Sequence, residues 1–274
     1  MLELIERKPK PPARNAPLLF VHGAWYAAWC WDEFFLPYFA SRGYACYAPS
    51  LRGHGASSGR DRLRWTRLRD YVDDVADAVA HLPAQPILIG HSMGGFLVQK
   101  YLEEHAARGA VLVAPMPPTG AWRAALYILR QHPISFVKGN LSLSLAPLVA
   151  TPELARDLFF SASMPDERVK KYQQRLQDES YLAFLDLVAL DLVKTGRVNR
   201  VPMLVVGAED DNLVSQRQMR RTAAVYDTQA EFFPDMGHGM MLETGWQAVA
   251  ERIIDWLNTT FPASYSSTPT QPPG

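Results

Sequence analysis

Cysteine is scarce in this chain: 274 residues carry two, Cys30 and Cys46. Two thiols cannot build the dense cross-linking of a small secreted domain. Cys30 follows a Trp-rich segment and Cys46 lies in an apolar run, so both are expected as buried free thiols. A surplus of one charge is absent too. Lys+Arg and Asp+Glu are both 28, giving a formal net charge of zero. That balance offers no reason to expect nucleic acid or an anionic membrane as a partner. No apolar run is long enough to span a bilayer, so no integral membrane segment is expected. The opening MLELIERKPKPP interrupts its few apolar residues with charge and lacks a signal-peptide core. The expected location is therefore the cytoplasm. No internal repeat is found.

What remains is ordinary for a large globular domain: 48% hydrophobic and 20% charged residues, enough to bury a sizeable core. Short apolar runs alternate with amphipathic stretches. PLLFVH (17–22), YACYAP (44–49), PILIGH (86–91), GAVLVAP (109–115), PMLVVGA (202–208) and AEFFP (230–234) predict strands. Residues 31–43, 66–82, 94–106 and 246–257 predict helices. This alternation predicts an α/β architecture, a mostly parallel sheet covered on both faces. Residues 117–199 break the pattern. They look wholly helical and fall between two strands, so an inserted lid over one end of the sheet is expected. The domain reading is a core of 1–116 and 200–261, a lid of 117–199, and a disordered tail of 262–274. The tail is rich in Pro, Ser and Thr and has too little apolar surface to order itself. Residues 8–17 are Pro-rich and read as a linker.

Gly90-His91-Ser92-Met93-Gly94 follows the third of these strands and opens a helix. G-x-S-x-G in that context is a nucleophile elbow. The small residues let strand and helix approach, and the turn presents a hydroxyl at a helix N-terminus, where developing negative charge is favoured. The turn lacks the G-x-G-x-x-G of dinucleotide sites and the Gly-Lys of a P-loop. A serine needs a general base. In this arrangement the chain order runs Ser, acid, His, and His105, His132 and His238 lie after Ser92. His105 sits in the helix leaving the elbow and His132 in the expected lid. His238 sits in a loop between a strand and the last helix, flanked by Gly237 and Gly239 that let an imidazole protrude, and is the expected base. Glu209, Asp210 and Asp211 follow the strand PMLVVGA and supply the candidate acids. The loop His22-Gly23-Ala24-Trp25 follows the first expected strand. The Ala24 N–H is the candidate oxyanion donor beside the N–H of Met93. His22 is expected to hold that loop by hydrogen bonds.

The stretches HGAWYAAWCW (22–31), LRGHGASS (51–58), GHSMGG (90–95), GAEDDNLV (207–214) and FPDMGHGMMLE (233–243) resemble the α/β-hydrolase superfamily, and within it the small lidded esterases and lipase-like hydrolases. The resemblance runs from about residue 17 to residue 260. It implies the α/β-hydrolase fold and ester cleavage with no cofactor and no metal. It also favours Asp211, because members commonly show Asp, one variable residue, two apolar residues, then Pro or a small residue. The HGAW start resembles plant hydroxynitrile lyases and methylesterases as well. Where the lyases usually place Thr and a nearby Lys, this chain has Gly23 and Gly239 with no Lys, which favours hydrolysis. The related dehalogenases and epoxide hydrolases carry Asp where Ser92 stands.

The reaction expected is acyl transfer from a small-molecule ester to water, with Ser92, His238 and Asp211 as the triad. Apolar residues of the expected lid (Trp122, Tyr127, Phe136, Phe159) and of the oxyanion region (Trp25, Trp29) are candidates for an acyl pocket suited to short- or medium-chain or monoglyceride-like esters. The same triad serves lactone, thioester, perhydrolysis or C–C cleavage. A reading of another class is a ligand-binding receptor on a hydrolase scaffold. Since the triad lies outside 117–199, some activity is expected to survive removal of that block.

Overall fold

The apolar runs assemble into a 7-stranded sheet of order β1-β3-β2-β4-β5-β6-β7. The strands are β1 (Leu4–Arg7), β2 (Leu18–Val21), β3 (Cys46–Pro49), β4 (Ile87–His91), β5 (Gly109–Val113), β6 (Met203–Ala208) and β7 (Ala230–Phe233). The structure, a computed structural model, describes residues 1–9 and 16–262. The expectations for residues 10–15 of the linker and 263–274 of the tail lie outside the described residues. Every residue of β2, β4, β5 and β6 is buried, which explains why these strands read as continuous apolar runs without alternation. All pairings are parallel except that of β1 with β3. The antiparallel β1 was not anticipated. It is an edge strand with only Ile5 packed on the core, and its charged neighbours give it the look of a polar terminus.

Helices fill the connections: α1 (Trp29–Asp32), α2 (Phe35–Ser41), α3 (Leu68–Ala80) and α4 (Met93–Tyr101). Between β5 and β6 come α5 (Trp122–Gln131), α6 (Pro133–Ser142), α7 (Pro152–Phe159), α8 (Asp166–Gln173) and α9 (Tyr181–Leu185). These fall within the block read as helical. α10 (Gln216–Val225) and α11 (Trp246–Thr260) complete the chain. The sequence reading did not include α10, because only Met219, Thr222 and Ala223 of that helix are buried. Its signal was nevertheless present in the reciprocal Ser215–Gln218 capping box at its start. Cys30 and Cys46 are buried and free, as expected. Among the described residues no helix is long and apolar enough to cross a membrane.

The parallel register decides where chemistry can gather. β2, β4, β5, β6 and β7 all run the same way, so their C-terminal ends open on one edge. The loops leaving β2, β4, β6 and β7 carry His22–Trp25, Ser92, Asp211 and His238 respectively. Residues far apart in the chain thereby meet at the end of the sheet where ligands bind in such folds.

Candidate active site

Ser92 joins β4 to α4 with φ 54° and ψ −118°, a conformation that an L-residue adopts at a cost of about 1–3 kcal/mol. Its surroundings enforce it. The Ser92 N–H donates to the Val113 carbonyl at 3.1 Å, and the Ser92 carbonyl accepts from the N–H groups of Phe96 and Met116, each at 3.1 Å. Gly90 is required by close approach, since a Cβ there would lie 2.5 Å from the Gly94 carbonyl oxygen. A Cβ on Gly94 would run into the carbonyl oxygens of Val21 and His22. Only glycine at both positions lets the strand and helix close around the serine. The sequence suggested an exposed hydroxyl, but Ser92 is 5% exposed and lines a cavity walled in part by the helical block.

His238 and Asp211 complete a hydrogen-bonded chain. Nε2 of His238 lies 2.7 Å from the Ser92 hydroxyl, and its Nδ1 lies 2.7 Å from Oδ2 of Asp211. Oδ1 of Asp211 accepts from the N–H groups of Leu213 and Val214, both at 2.8 Å. One oxygen thus anchors the carboxylate and the other aims at the imidazole. Glu209 and Asp210 point to solvent, so the geometry selects Asp211 from the three carboxylates. His105 stacks on Tyr101, and His132 pairs with Asp157 at 2.7 Å. The structure places neither of them with Ser92.

The β2 loop lies directly against the serine: a Cβ on Gly23 would sit 2.9 Å from Cβ of Ser92. Met93 is the first residue of α4, so its N–H has no acceptor within the helix. Ala24, Met93 and Ser92 line one cavity. His22 holds the loop as expected, donating from Nδ1 to the Gly23 carbonyl at 2.9 Å and accepting the Leu51 N–H on Nε2 at 3.0 Å. This arrangement can bring a nucleophilic hydroxyl and a base with a fixed tautomer to bear on a single carbonyl.

Two residues at the site carried no sequence signal as site residues. His91, inside the elbow motif, donates from Nε2 to the His238 carbonyl at 2.9 Å. The fully buried Glu243 accepts the Gly237 N–H at 3.0 Å and both the N–H and the hydroxyl of Ser161. The Gly239 N–H donates to the Phe159 carbonyl at 2.7 Å. The His238 loop is therefore held on both sides, from the elbow and from the helical block.

Burial makes the site region sensitive to acid. It pushes His22 down to about 3 from its ordinary 6.5, assisted by the neighbouring His54. Burial and then the nearby His238 push His91 well below its ordinary value. Below pH 6.5 the unfolded chain therefore takes up protons that the folded chain refuses. Each such histidine removes about 1.4 kcal/mol of stability per pH unit. His54 acts in the opposite sense. Burial disfavours its charge, but Glu179 outweighs that and raises it, so its contribution is complete below 6.5 and fades as pH rises through its folded value. The urea midpoint should accordingly be lower at pH 5 than at pH 7. An unchanged or higher midpoint would show that these rings are not held neutral.

The cavity beside Ser92 is small, about 30 Å³. Its walls come from Ala24, Trp25, Met93, Met116 and Leu213 of the sheet core and from Ala121, Ala124, Ile128, Leu145, Phe184 and Leu187 of the helical block. Glu179 is the one charged residue in that lining. Of the aromatic candidates, Trp25 lines it. Phe159 packs on Trp25 and on Tyr26 and lies 6.4 Å from the His238 ring. The other four lie elsewhere. Trp29 sits under the Arg175 guanidinium. Trp122 is 46% exposed, in a surface groove with Pro117 and Arg123. Tyr127 donates to Asp157, and Phe136 packs half-buried on the apolar core. The cavity wall is built instead by alanines and aliphatic residues on one face of α5 and by α9 and the turn after it. Residue size alone did not reveal that face.

A family model described as the alpha/beta hydrolase family matches residues 18–252, and the chain belongs to that family. The expected fold is thereby borne out. The chain is 28% identical over 271 residues to a pyrethroid hydrolase of Sphingobium wenxiniae, spanning 93% of this chain and 91% of that protein. It is 25% identical over 249 residues to a non-heme haloperoxidase of Rhodococcus erythropolis, spanning 82% and 86%. Its fold is similar to that of a monoacylglycerol lipase of Paleococcus ferrophilus, with a TM-score of 0.71 over 94% of this chain and 99% of that one at 21% identity.

Proposed function

We propose that this chain is a serine hydrolase of carboxylic esters that works through an acyl-enzyme. The observation that carries the reading is the continuous chain from the Ser92 hydroxyl through His238 to Asp211, with both links at 2.7 Å. His238 takes the serine proton as Ser92 attacks the ester carbonyl. Asp211 keeps the proton on Nδ1 and stabilises the imidazolium that forms. The N–H groups of Ala24 and Met93 receive the oxyanion. The proton on Nε2 then passes to the leaving alcohol, and His238 next activates water to release the acid. Its pyrethroid hydrolase relative supports the hydrolytic reading.

Residues 117–199 act as a lid in this reading. They supply more than half of the residues that wall the small cavity beside Ser92. The acyl chain lies against Ala121, Ala124 and Ile128. A panel of p-nitrophenyl esters tests this. Activity should rise from acetate to butyrate, by roughly four-fold in kcat/KM for each methylene buried at about 0.8 kcal/mol. Ala124→Leu fills the wall and should shorten the preferred chain while sparing acetate. A wild-type preference for acetate over every longer ester would remove the apolar acyl pocket from the reading.

A further inference from the structure

We infer that Glu179, reaching in from the helical block, is a positioning residue that sets the oxyanion loop. The inference rests on the serine-hydrolase reading above. Glu179 is 1% exposed. Its Oε2 accepts the N–H of Trp25 at 3.3 Å and lies 3.2 Å from Nε2 of the buried His54. Its Oε1 accepts from the Tyr71 hydroxyl at 2.7 Å and from the Ser180 N–H at 2.6 Å.

The Trp25 N–H belongs to the peptide that carries the Ala24 carbonyl. Fixing that peptide plane fixes the backbone at Ala24, which lines the cavity with Ser92 and is proposed above as an oxyanion donor. Trp25 has φ 65°, a conformation that a bulky residue does not hold unaided. The same block grips Trp25 at two further atoms. The Trp25 carbonyl accepts the Gln177 N–H at 2.9 Å, and its indole N–H donates to the Leu145 carbonyl at 3.1 Å. Both oxygens of Glu179 are committed, so the carboxylate has little freedom to turn.

Glu179 raises its neighbour His54 above the ordinary imidazole value, against the burial that disfavours its charge. Burial opposes ionisation of Glu179, but His54, Tyr71 and the Ser180 N–H outweigh it and hold the carboxyl below its usual range. A buried ion pair contributes little net stability compared with an apolar filling of the same space. Its presence in the wall of this cavity is accounted for by the peptide that it orients.

The test compares Glu179→Gln and Tyr71→Phe with wild type in the full chain. A fluorophosphonate titration counts competent sites, and thermal unfolding reports the fold. Per titrated site on p-nitrophenyl butyrate, Glu179→Gln should lose about ten-fold or more in kcat with KM little changed. Tyr71→Phe removes one of the two hydrogen bonds that Oε1 accepts and should show a smaller loss of the same kind. Inhibition by a boronic acid, which forms a tetrahedral adduct on the serine, should weaken in step with kcat/KM. Loss confined to the titratable fraction and melting temperature, with kcat per site intact, would overturn the inference. Should Glu179→Gln not fold, Tyr71→Phe decides by the same criterion. Ser92→Ala runs alongside. An inert Ser92→Ala with unaffected Glu179 and Tyr71 variants overturns this inference alone, whereas an active Ser92→Ala overturns the underlying reading.

Discussion

Ser92→Ala should lose ester hydrolysis by about 10⁴-fold or more while keeping its fold. The substitution removes one oxygen, the atom that lies 2.7 Å from Nε2 of His238. The backbone that enforces the turn is unaffected, because the bonds from Ser92 to Val113, Phe96 and Met116 are all main-chain. Alanine also has a Cβ, so the strain at φ 54° is neither relieved nor increased. The measurement is kcat/KM on p-nitrophenyl butyrate beside a thermal melt. A folded variant within ten-fold of wild type would mean that another group attacks the ester.

Asp211→Asn should lower kcat by about 10³–10⁴-fold, because it changes which imidazole nitrogen carries the proton. The amide oxygen would keep the two N–H bonds from Leu213 and Val214 that Oδ1 now accepts. That leaves the amide nitrogen, a donor, facing Nδ1 of His238. The ring then protonates on Nε2 and cannot accept the serine proton. Asp210→Asn, at an exposed position one residue earlier, should stay within about two-fold, as surface substitutions usually do. A severe Asp210→Asn beside a mild Asp211→Asn would assign the acid to the wrong neighbour.

The contrast between these two aspartates shows what a sequence of this kind reveals. Ser92 was legible because its motif needs a strand before it and a helix after it, and both are visible as patterns. His238 followed from chain order and two flanking glycines. The choice of Asp211 needed the resemblance, since nothing local to three adjacent carboxylates separates them. The structure separates them through a turn in which one oxygen is spent on backbone N–H groups. The sheet was legible for a related reason: strands buried on both faces are uninterrupted apolar runs. β1 and α10 were not, because an edge strand and a polar surface helix bury too few residues to leave a periodic trace.

Contacts between the helical block and the triad loops were invisible. Glu179 lies far in sequence from the Trp25 N–H that it holds, and Glu243 far from the Ser161 N–H, and a lone Glu carries no signal of burial. The bonds between Glu179 and Trp25, Ser161 and Glu243, and Gly239 and Phe159 make the block a support for both loops. Where the sequence led to the expectation that some activity survives its removal, these contacts lead to the opposite one, that removal disables the site although Ser92, Asp211 and His238 lie outside it. The lining of the cavity beside Ser92 was hidden for a similar reason. Large aromatic residues draw attention in a sequence, but Trp122 faces solvent while small Ala121 and Ala124 line the cavity beside Ser92.

The most direct measurement of the central claim is covalent. Incubation of the intact protein with a fluorophosphonate, followed by proteolysis and mass spectrometry, locates the nucleophile without any assumption about the physiological ester. The account predicts one phosphonyl adduct per chain, on the peptide carrying Ser92, and none on Ser92→Ala. An adduct at another residue, or undiminished labelling of the Ser92→Ala protein, would contradict it.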